Sequence, residues 1–121
     1  MTIAYPVIKT FFKNTASDST SRATLVTPTS GKKIRVISIQ CANSSAATAI
    51  FEVYFDTGTT IASDATKAIF VTMLLTGTQL HDGMVWSPGS GPLGDVNDVV
   101  SIRTSADVGT SGWFVIVYRE E

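Results

Sequence analysis

Short hydrophobic runs rich in β-branched and aromatic residues alternate along this chain with clusters of Gly, Pro, Ser, Asp and Asn. Runs of this length between turn-forming residues are typical of β-strands. Seven or eight short strands at this spacing predict an all-β chain, a single-domain antiparallel β-sandwich that is jelly-roll-like. The strands are predicted near residues 4–12, 22–27, 33–42, 47–56, 68–75, 83–87, 97–104 and 112–119.

The strands differ in how many of their faces are apolar. Residues 47–56 alternate most clearly, with Phe51 and Val53 on the apolar face, which is typical of a strand with one solvated side. Residues 69–75 and 113–118 are instead apolar on both faces. Contiguous exposed apolar patches are uncommon on monomers, so these two strands predict a cyclic homo-oligomer.

Residues 63–73 allow two interpretations. Ser63 and Asp64 are favourable N-cap residues, and the apolar positions after them also fit a short helix. The β-branched and aromatic residues at 69–72 favour a strand, because such side chains lose rotamer freedom in a helix. We expect the strand.

The composition narrows the classes of function. The chain has 121 residues and 12.9 kDa, of which 16% are charged, and this fits one compact, weakly charged domain. A net charge of −1 and a pI of about 5.7 give no overall basic field for nucleic acid. The sequence contains no membrane-spanning run and no pattern of a secretory signal. We therefore expect no membrane or nucleic-acid partner, and synthesis in the cytoplasm of the producing cell.

The charges are unevenly divided along the chain. Residues 1–35 hold six basic residues against one acid, a net +5, and residues 36–121 hold three against nine, a net −6. Pairing within the chain, head-to-tail contact between copies and an acidic neighbour all fit this division. The single cysteine, Cys41, excludes an intrachain disulfide and lies in an apolar run that is typical of a buried thiol.

Motifs that resemble catalytic or ligand sites lack the context that their chemistry needs. Residues 89–94 match the letters of a dinucleotide-binding GxGxxG, but prolines flank the run and a strand follows it. His81 adjoins Asp82, yet consecutive side chains of a strand take opposite faces, and Asp82 with Gly83 predicts a turn beside a surface histidine. The acids within 95–98 fit loop-capping residues better than Ca²⁺ ligands. We predict no enzyme, no catalytic residue, no cofactor and no metal.

The N-terminal residues are too apolar for a free tail. Residues 1–13 predict a partner-facing arm or an edge strand, and residues 14–21 a polar connector, ahead of a sandwich domain over 22–121. Eight extended residues span up to about 27 Å, enough to reach a neighbouring subunit. Pairing within the chain's own sandwich and an oligonucleotide platform are the alternatives. The predicted interface residues of this segment are Tyr5, Val7, Lys9, Phe11, Phe12 and Lys13.

Trp86 completes the predicted partner interface. An exposed indole face at this position would suit stacking on a sugar, and the alternative is packing in the core or between subunits. The sequence leaves both interpretations open.

Three segments resemble small virion proteins of tailed bacteriophages. Residues 27–36 are similar to their opening hairpin, residues 91–102 to a later loop and strand, and residues 112–120 to their closing strand. The resemblance covers roughly residues 22–121. It implies a single β-sandwich domain that decorates capsids or sits in tail appendages, commonly as a trimer, without catalytic residues.

The residues and this resemblance lead to one expected function, that of a non-enzymatic virion structural protein. The expectation is a head decoration (cement) protein that binds and stabilises the capsid shell. Its expected partners are copies of itself, in a homotrimer, and the major capsid protein or another virion protein. The alternative is a receptor- or carbohydrate-binding module of a tail fibre or tail appendage.

Overall fold

The fold is built from β-strands, as the hydrophobic pattern predicts. The computed structural model describes residues 8–15, 22–55, 65–75, 80–87, 89–106, 108 and 111–121. A strand follows the short 3-10 turn at Ala65–Lys67, so the described residues confirm the strand interpretation of this region and not the helix. The described strands are β1 (Ile8–Thr15), β2 (Ala23–Val26), β3 (Ile34–Asn43), β4 (Ala49–Phe55), β5 (Ala68–Leu74), β6 (Leu80–Val85), β7 (Val100–Thr104) and β8 (Gly112–Glu120).

The eight described strands form two four-stranded antiparallel sheets. The first sheet has the order β1-β8-β3-β6 and the second sheet the order β2-β7-β4-β5. Among these strands, β4 and β5 are the one consecutive pair that hydrogen-bonds within a sheet. At each of the other connections between consecutive strands, the chain crosses from one sheet to the other. Two packed antiparallel sheets with this alternation are the organisation of a jelly roll. The predicted fold class is thereby confirmed.

The resemblance implies a hairpin over residues 27–36, and the strand pairing contradicts it. β2 pairs with β7 in the second sheet, while β3 pairs with β8 and β6 in the first. Residues 27–33 therefore cross from one sheet to the other at the end of the sandwich. Alternating hydrophobicity predicts that both segments are strands, but it does not specify their partners.

The inner faces of the two sheets form one core. Phe114 and Ile116 of β8 are fully buried, and so are Phe51 and Val53 of β4. The ring centroids of Phe51 and Phe114 lie 5.3 Å apart across the two sheets. Such an aromatic pair contributes about 0.5–1.5 kcal/mol beyond the area that it buries. The core is therefore continuous from sheet to sheet.

Asn43 joins the two sheets where β3 ends. Its side chain is fully buried, and its amide nitrogen donates to the carbonyl oxygens of Ala47 at 2.8 Å and Leu74 at 3.2 Å. Its Oδ1 accepts a hydrogen bond from the backbone N–H of Ser45 at 2.9 Å. A buried amide satisfied at both ends ties β5 to the connection between β3 and β4.

β1 belongs to the chain's own sandwich. It pairs along its full length with β8, so that Ile8 lies opposite Arg119 and Thr15 opposite Gly112. It is therefore the edge strand of the first sheet, which is one of the alternatives for this segment. The predicted start of the polar connector at residue 14 falls inside β1, because the pairing with β8 continues to Gly112.

The strand order gives the sandwich two edges. β1 and β2 lie beside each other on one side, and β6 and β5 lie beside each other on the other side. In the first sheet, β8 and β3 separate β1 from β6, so these strands are about 14 Å apart, or three strand spacings. We name the two sides the β1/β2 edge and the β5/β6 edge.

β6 continues through the position where a turn was predicted. His81, Asp82 and Gly83 are consecutive residues of this strand and pair with β3, so the turn at Asp82 and Gly83 is wrong. Gly83 serves a close approach of two backbones instead, because a Cβ on it would lie 2.5 Å from the carbonyl oxygen of Ile39. A glycine inside a strand marks such an approach as readily as a turn.

Residues 89–94 form a loop, as predicted, and no helix begins there. A Cβ on Gly91 would overlap the carbonyl oxygen of Val36, so glycine is required where this loop packs on β3. The backbone N–H of Val36 also donates to the carbonyl oxygen of Pro92 at 2.9 Å. Gly91 therefore permits the close packing of this loop on β3.

β7 begins later than predicted, at Val100 and not at residue 97. Asn97 has a φ of 66°, in the left-handed region that asparagine tolerates better than most residues. Its Oδ1 accepts a hydrogen bond from the backbone N–H of Gly31 at 2.7 Å. This bond fixes the loop before β7 to the connection between β2 and β3.

Candidate binding surfaces

The structure places the five described members of the predicted interface at two opposite edges of the first sheet. Two of the seven lie outside the described residues, and four lie in β1. The seventh follows β6 at the opposite edge of the first sheet, with β8 and β3 in between. These groups are Tyr5 and Val7, then Lys9, Phe11, Phe12 and Lys13, and finally Trp86.

Trp86 is half-buried and packs against the core. Its backbone N–H donates to the carbonyl oxygen of Ile37 at 2.9 Å, which extends the pairing of β6 with β3 by one residue. A sugar-stacking platform needs an open indole face. The position of Trp86 fits the packing interpretation better.

The outer face of the first sheet is apolar around β8. Trp113, Val115 and Val117 are half-buried and alternate with core residues along this strand. Val85, at the end of β6, is 73% exposed. Residues 113–118, which are apolar on both faces, therefore belong to a central strand whose inner face is buried and whose outer face is only partly covered.

A shallow hollow of about 220 Å³ lies on this outer face, between β3, β6 and β8. It is smaller than the roughly 300–1,000 Å³ that is usual for ligand pockets. It suits a protruding side chain of another protein better than a small-molecule ligand. We name it the outer hollow, and it is lined by Gln40, Cys41, Ala42, His81, Trp113 and Val115.

The outer face of the second sheet has a polar part and an apolar part. Glu52 and Arg103 lie opposite each other on β4 and β7, and their ion pair measures 3.1 Å, with side chains only 10% and 15% exposed. Towards β5 the face becomes apolar, with Ile50 39%, Val71 46% and Met73 62% exposed. The charged residues of this face therefore find partners within the chain, whereas its apolar side chains remain exposed to solvent.

The β5/β6 edge is apolar around one charged residue, Asp82. The hydroxyl of Thr72 donates to Asp82 Oδ2 at 2.7 Å, and the backbone N–H of Gly83 donates to Oδ1 at 2.8 Å. These hydrogen bonds, that of Thr72 first, hold the pKa of Asp82 below its usual value. The carboxylate is therefore charged at neutral pH. Leu75 is 54% and Met84 46% exposed on the two strands of this edge.

His81 and Asp82 do not form a catalytic pair. His81 lines the outer hollow, whereas Asp82 binds Thr72 of the other sheet. Cys41 is buried, as predicted, and its burial, followed by the charge of Asp82, raises the pKa of its thiol. A thiol in this state is not a nucleophile at neutral pH.

The acids of the loop before β7 bind a lysine. Lys67 Nζ lies 3.2 Å from Asp95 Oδ2 and 3.1 Å from Asp98 Oδ2. The hydrogen bonds, that to Asp98 first, raise the pKa of Lys67. They tie the loop to the start of β5. In the part of the chain that the structure describes, no group of three or more His, Cys, Asp or Glu residues is placed to hold a metal ion.

A second charged cluster lies at one end of the first sheet. Arg35 Nε lies 2.6 Å from Glu121 Oε2, and an Nη of Arg119 lies 3.0 Å from Glu121 Oε1. The bond to Arg35, followed by that to Arg119, lowers the pKa of Glu121. This ion pair joins the basic N-terminal third to the acidic remainder, as the pairing interpretation of the uneven charge requires.

Sequence reasoning missed Asp82 and the exposed residues of β6 as surface features. The turn predicted at Asp82 made the strand begin at residue 83, and therefore left Asp82 outside any sheet edge. The signal that was available was the apolar pair Met84 and Val85 directly after Gly83.

Among the described helical residues, none forms a helix long and apolar enough to cross a membrane.

Comparison with known proteins gives a similarity to a solved structure. No protein-family model matches the chain, and no curated protein matches it. The chain is similar to one in the cryo-EM structure of the virus-like particle of the extra small virus of the giant freshwater prawn Macrobrachium rosenbergii. The identity is 9% and the TM-score 0.50, over 99% of this chain and 82% of that chain. At this identity the similarity shows a shared fold.

Proposed function

We propose that this chain is a non-enzymatic structural protein of a virion. The observation that carries the proposal is a jelly roll with exposed apolar side chains outside both sheets, such as Val85 at 73% and Met73 at 62%. Monomeric proteins rarely leave such surfaces to water, so they suit a subunit that neighbours cover in an assembly. The shared fold with a chain of a virus-like particle supports a virion as that assembly.

The more specific proposal is a head decoration (cement) protein that binds and stabilises the capsid shell. Such a protein needs one surface for the shell and another for its own copies. The outer face of the first sheet, with the outer hollow, suits the shell because it is broad and apolar. Burial contributes about 25 cal/mol per Å² of apolar surface, and many identical contacts reinforce one another. The proposed partner is the major capsid protein or another virion protein, and the proposed oligomer is a homotrimer.

The test is binding to purified shells that lack this chain. The wild-type chain is expected to bind with saturable stoichiometry and to raise the temperature at which the shells rupture. Val85→Ser is expected to weaken binding about tenfold, because about 1.4 kcal/mol of apolar contact is lost. Val96→Ser is the matched control, since Val96 is 50% exposed in the loop before β7. Electron-microscopic localisation of the chain on a tail, and not on a head, would remove the decoration proposal.

A second candidate is a chain that forms the shell itself. The observation that favours it is the similar chain in a virus-like particle. Electron microscopy of the purified chain alone distinguishes the two candidates. Closed particles would make it the shell protein, whereas small rings that bind a separate shell would support decoration.

The carbohydrate-binding alternative remains testable through Trp86. Its half-buried position against the core disfavours a stacking platform. Binding on a glycan array that is abolished by Trp86→Ala would replace the decoration proposal with a receptor-binding module. We expect no glycan binding.

A further inference from the structure

Exposed apolar side chains are concentrated at the β5/β6 edge. Val71, Met73 and Leu75 lie on or directly after β5, and Met84 lies on β6, with exposed fractions of 46%, 62%, 54% and 46%. Asp82 is the single acid of these two strands, and neither strand contains Lys or Arg. This edge therefore presents an apolar surface with one negative charge.

The β1/β2 edge has the opposite charge. β1 carries Lys9 and Lys13 and no acid, and β2 carries no charged residue. Both edges end in strands beside which no further strand lies among the described residues. Unpaired backbone groups on such strands are suited to contact with another chain.

The register of the first sheet places the opposite charges at the same level. Asp82 is the partner of Cys41, Cys41 is the partner of Phe114, and Phe114 is the partner of Lys13. These four residues form one row across the sheet, with Asp82 at one end and Lys13 at the other. A copy placed beside the first along this row brings Asp82 of one to the level of Lys13 of the next.

We propose that the β5/β6 edge of one copy docks on the β1/β2 edge of the next, head to tail, with Asp82 facing Lys13. This inference rests on the proposed homo-oligomer and names the contact that builds it. β1 and β6 run in opposite directions because three antiparallel pairings separate them, so neighbouring edges meet antiparallel. A head-to-tail contact closes into a ring when its rotation permits.

The charges disfavour the symmetric alternative for this edge. A two-fold contact of the β5/β6 edge with itself would bring two Asp82 carboxylates into one apolar interface. Like charges in an interface that excludes water are strongly unfavourable. The basic β1 strand of a second copy supplies the opposite charge that this interface needs.

A charge-exchange experiment tests the contact by light scattering of the purified chain. Asp82→Lys and Lys13→Asp, each alone, are expected to weaken association at least tenfold. The double variant, Asp82→Lys with Lys13→Asp, is expected to restore it, because the pair is rebuilt with its signs exchanged. Asp82→Asn removes the charge and keeps a polar partner for Thr72, and it is expected to weaken association as well. Association that the double variant does not restore would overturn the proposal.

Matched controls separate this contact from a general effect of charge or folding. Lys32→Asp makes the same change in net charge as Lys13→Asp, at an exposed residue of the connection between β2 and β3. It is expected to leave association unchanged. A cooperative melt for each variant shows that the fold is retained. Association of the wild-type chain is expected to fall as salt rises to about 0.5 M, since salt screens the pair.

A cross-linking experiment tests the same contact without changing the sign of a charge. In a chain with Asp82→Cys, Lys13→Cys and Cys41→Ala, the Cα atoms of the two introduced cysteines lie about 14 Å apart within one copy, beyond the roughly 7 Å limit of a disulfide. Cys41→Ala is needed because Cys41 is the register partner of residue 82 and would otherwise bond to the new thiol within one copy. A cross-link between them therefore joins two copies. The covalent ladder is expected to stop at the number of subunits in the ring. Monomers alone would overturn the proposal.

The two proposals fail separately. An oligomer that survives every charge reversal would overturn the edge contact and leave the decoration function standing. A ring that responds to the exchange as expected, but binds no shell, would keep the edge contact and remove the decoration function.

Discussion

β4 and β8 are both interior strands of their sheets, but the burial of their outer faces differs from what residue polarity alone would predict. Glu52 and Tyr54 are polar residues on the outer face of β4, and they are only 8% and 1% exposed. Trp113 and Val115 are apolar residues on the outer face of β8, and they remain half-buried. The chain buries the polar residues on the outer face of β4 and leaves the apolar residues on the outer face of β8 partly exposed.

The difference shows which part of each outer face is satisfied within one chain. Buried polar groups need partners, and the ion pair of Glu52 with Arg103 supplies them on the second sheet. Apolar groups need only the exclusion of water, which any neighbouring surface provides. The outer face of the first sheet therefore suits an intermolecular contact, and the region around Glu52 does not.

The largest expected effect on stability comes from the inner face of β8, and it tests whether this face is more buried than the outer face. Phe114→Ala is expected to lower the free energy of unfolding by about 3–5 kcal/mol, because it removes a fully buried ring from its contact with Phe51. Val115→Ala, at the next residue of the strand, is expected to lower it by less than about 1 kcal/mol. Urea denaturation measures both values. Equal effects would mean that the outer face of β8 is as buried as the inner face.

The existence of the strands was predictable from the sequence, but their partners were not. Residues 47–56 and 113–118 have strand patterns that the structure confirms as β4 and β8. The partner of the buried Glu52 on β4 is Arg103, which is distant in sequence, and local alternation does not record such a contact. The turn predicted at Gly83 failed for a related reason, because the carbonyl oxygen of Ile39 on β3 sets the need for glycine there.

The candidate surfaces were predictable to a smaller extent. The two-sided apolar patterns of β5 and β8 predicted strands with apolar outer faces, and both strands have apolar residues on their outer faces. The alignment of Asp82 with Lys13 arises from three strand pairings in succession. No single segment of the sequence contains that information.

An intermediate effect is expected on the outer face of the second sheet. Glu52→Ala removes the carboxylate that accepts a hydrogen bond from Arg103, in a site where the Arg103 side chain is only 15% exposed. The free energy of unfolding is expected to fall by about 2–3 kcal/mol, between the values for surface and buried ion pairs. The double variant Glu52→Leu with Arg103→Met is expected to recover most of this loss, and urea denaturation measures it. A loss below about 0.5 kcal/mol in Glu52→Ala would show that this face is as open as that of the first sheet.

The smallest expected effect concerns the charged cluster at the end of the first sheet. Glu121 is 31% exposed there, against 10% for Glu52 on the second sheet, so solvent screens its bonds to Arg35 and Arg119 more strongly. Because the pKa of Glu121 is lower in the folded chain, its contribution to stability is complete above the unfolded pKa of about 4.3. It is lost as the pH falls through the lower, folded pKa. Glu121→Gln is therefore expected to flatten the decline of the melting temperature below about pH 4, and salt of about 0.5 M to reduce the difference between the two chains. An acid decline in Glu121→Gln as steep as in the wild-type chain would show that the arginines do not stabilise this carboxylate.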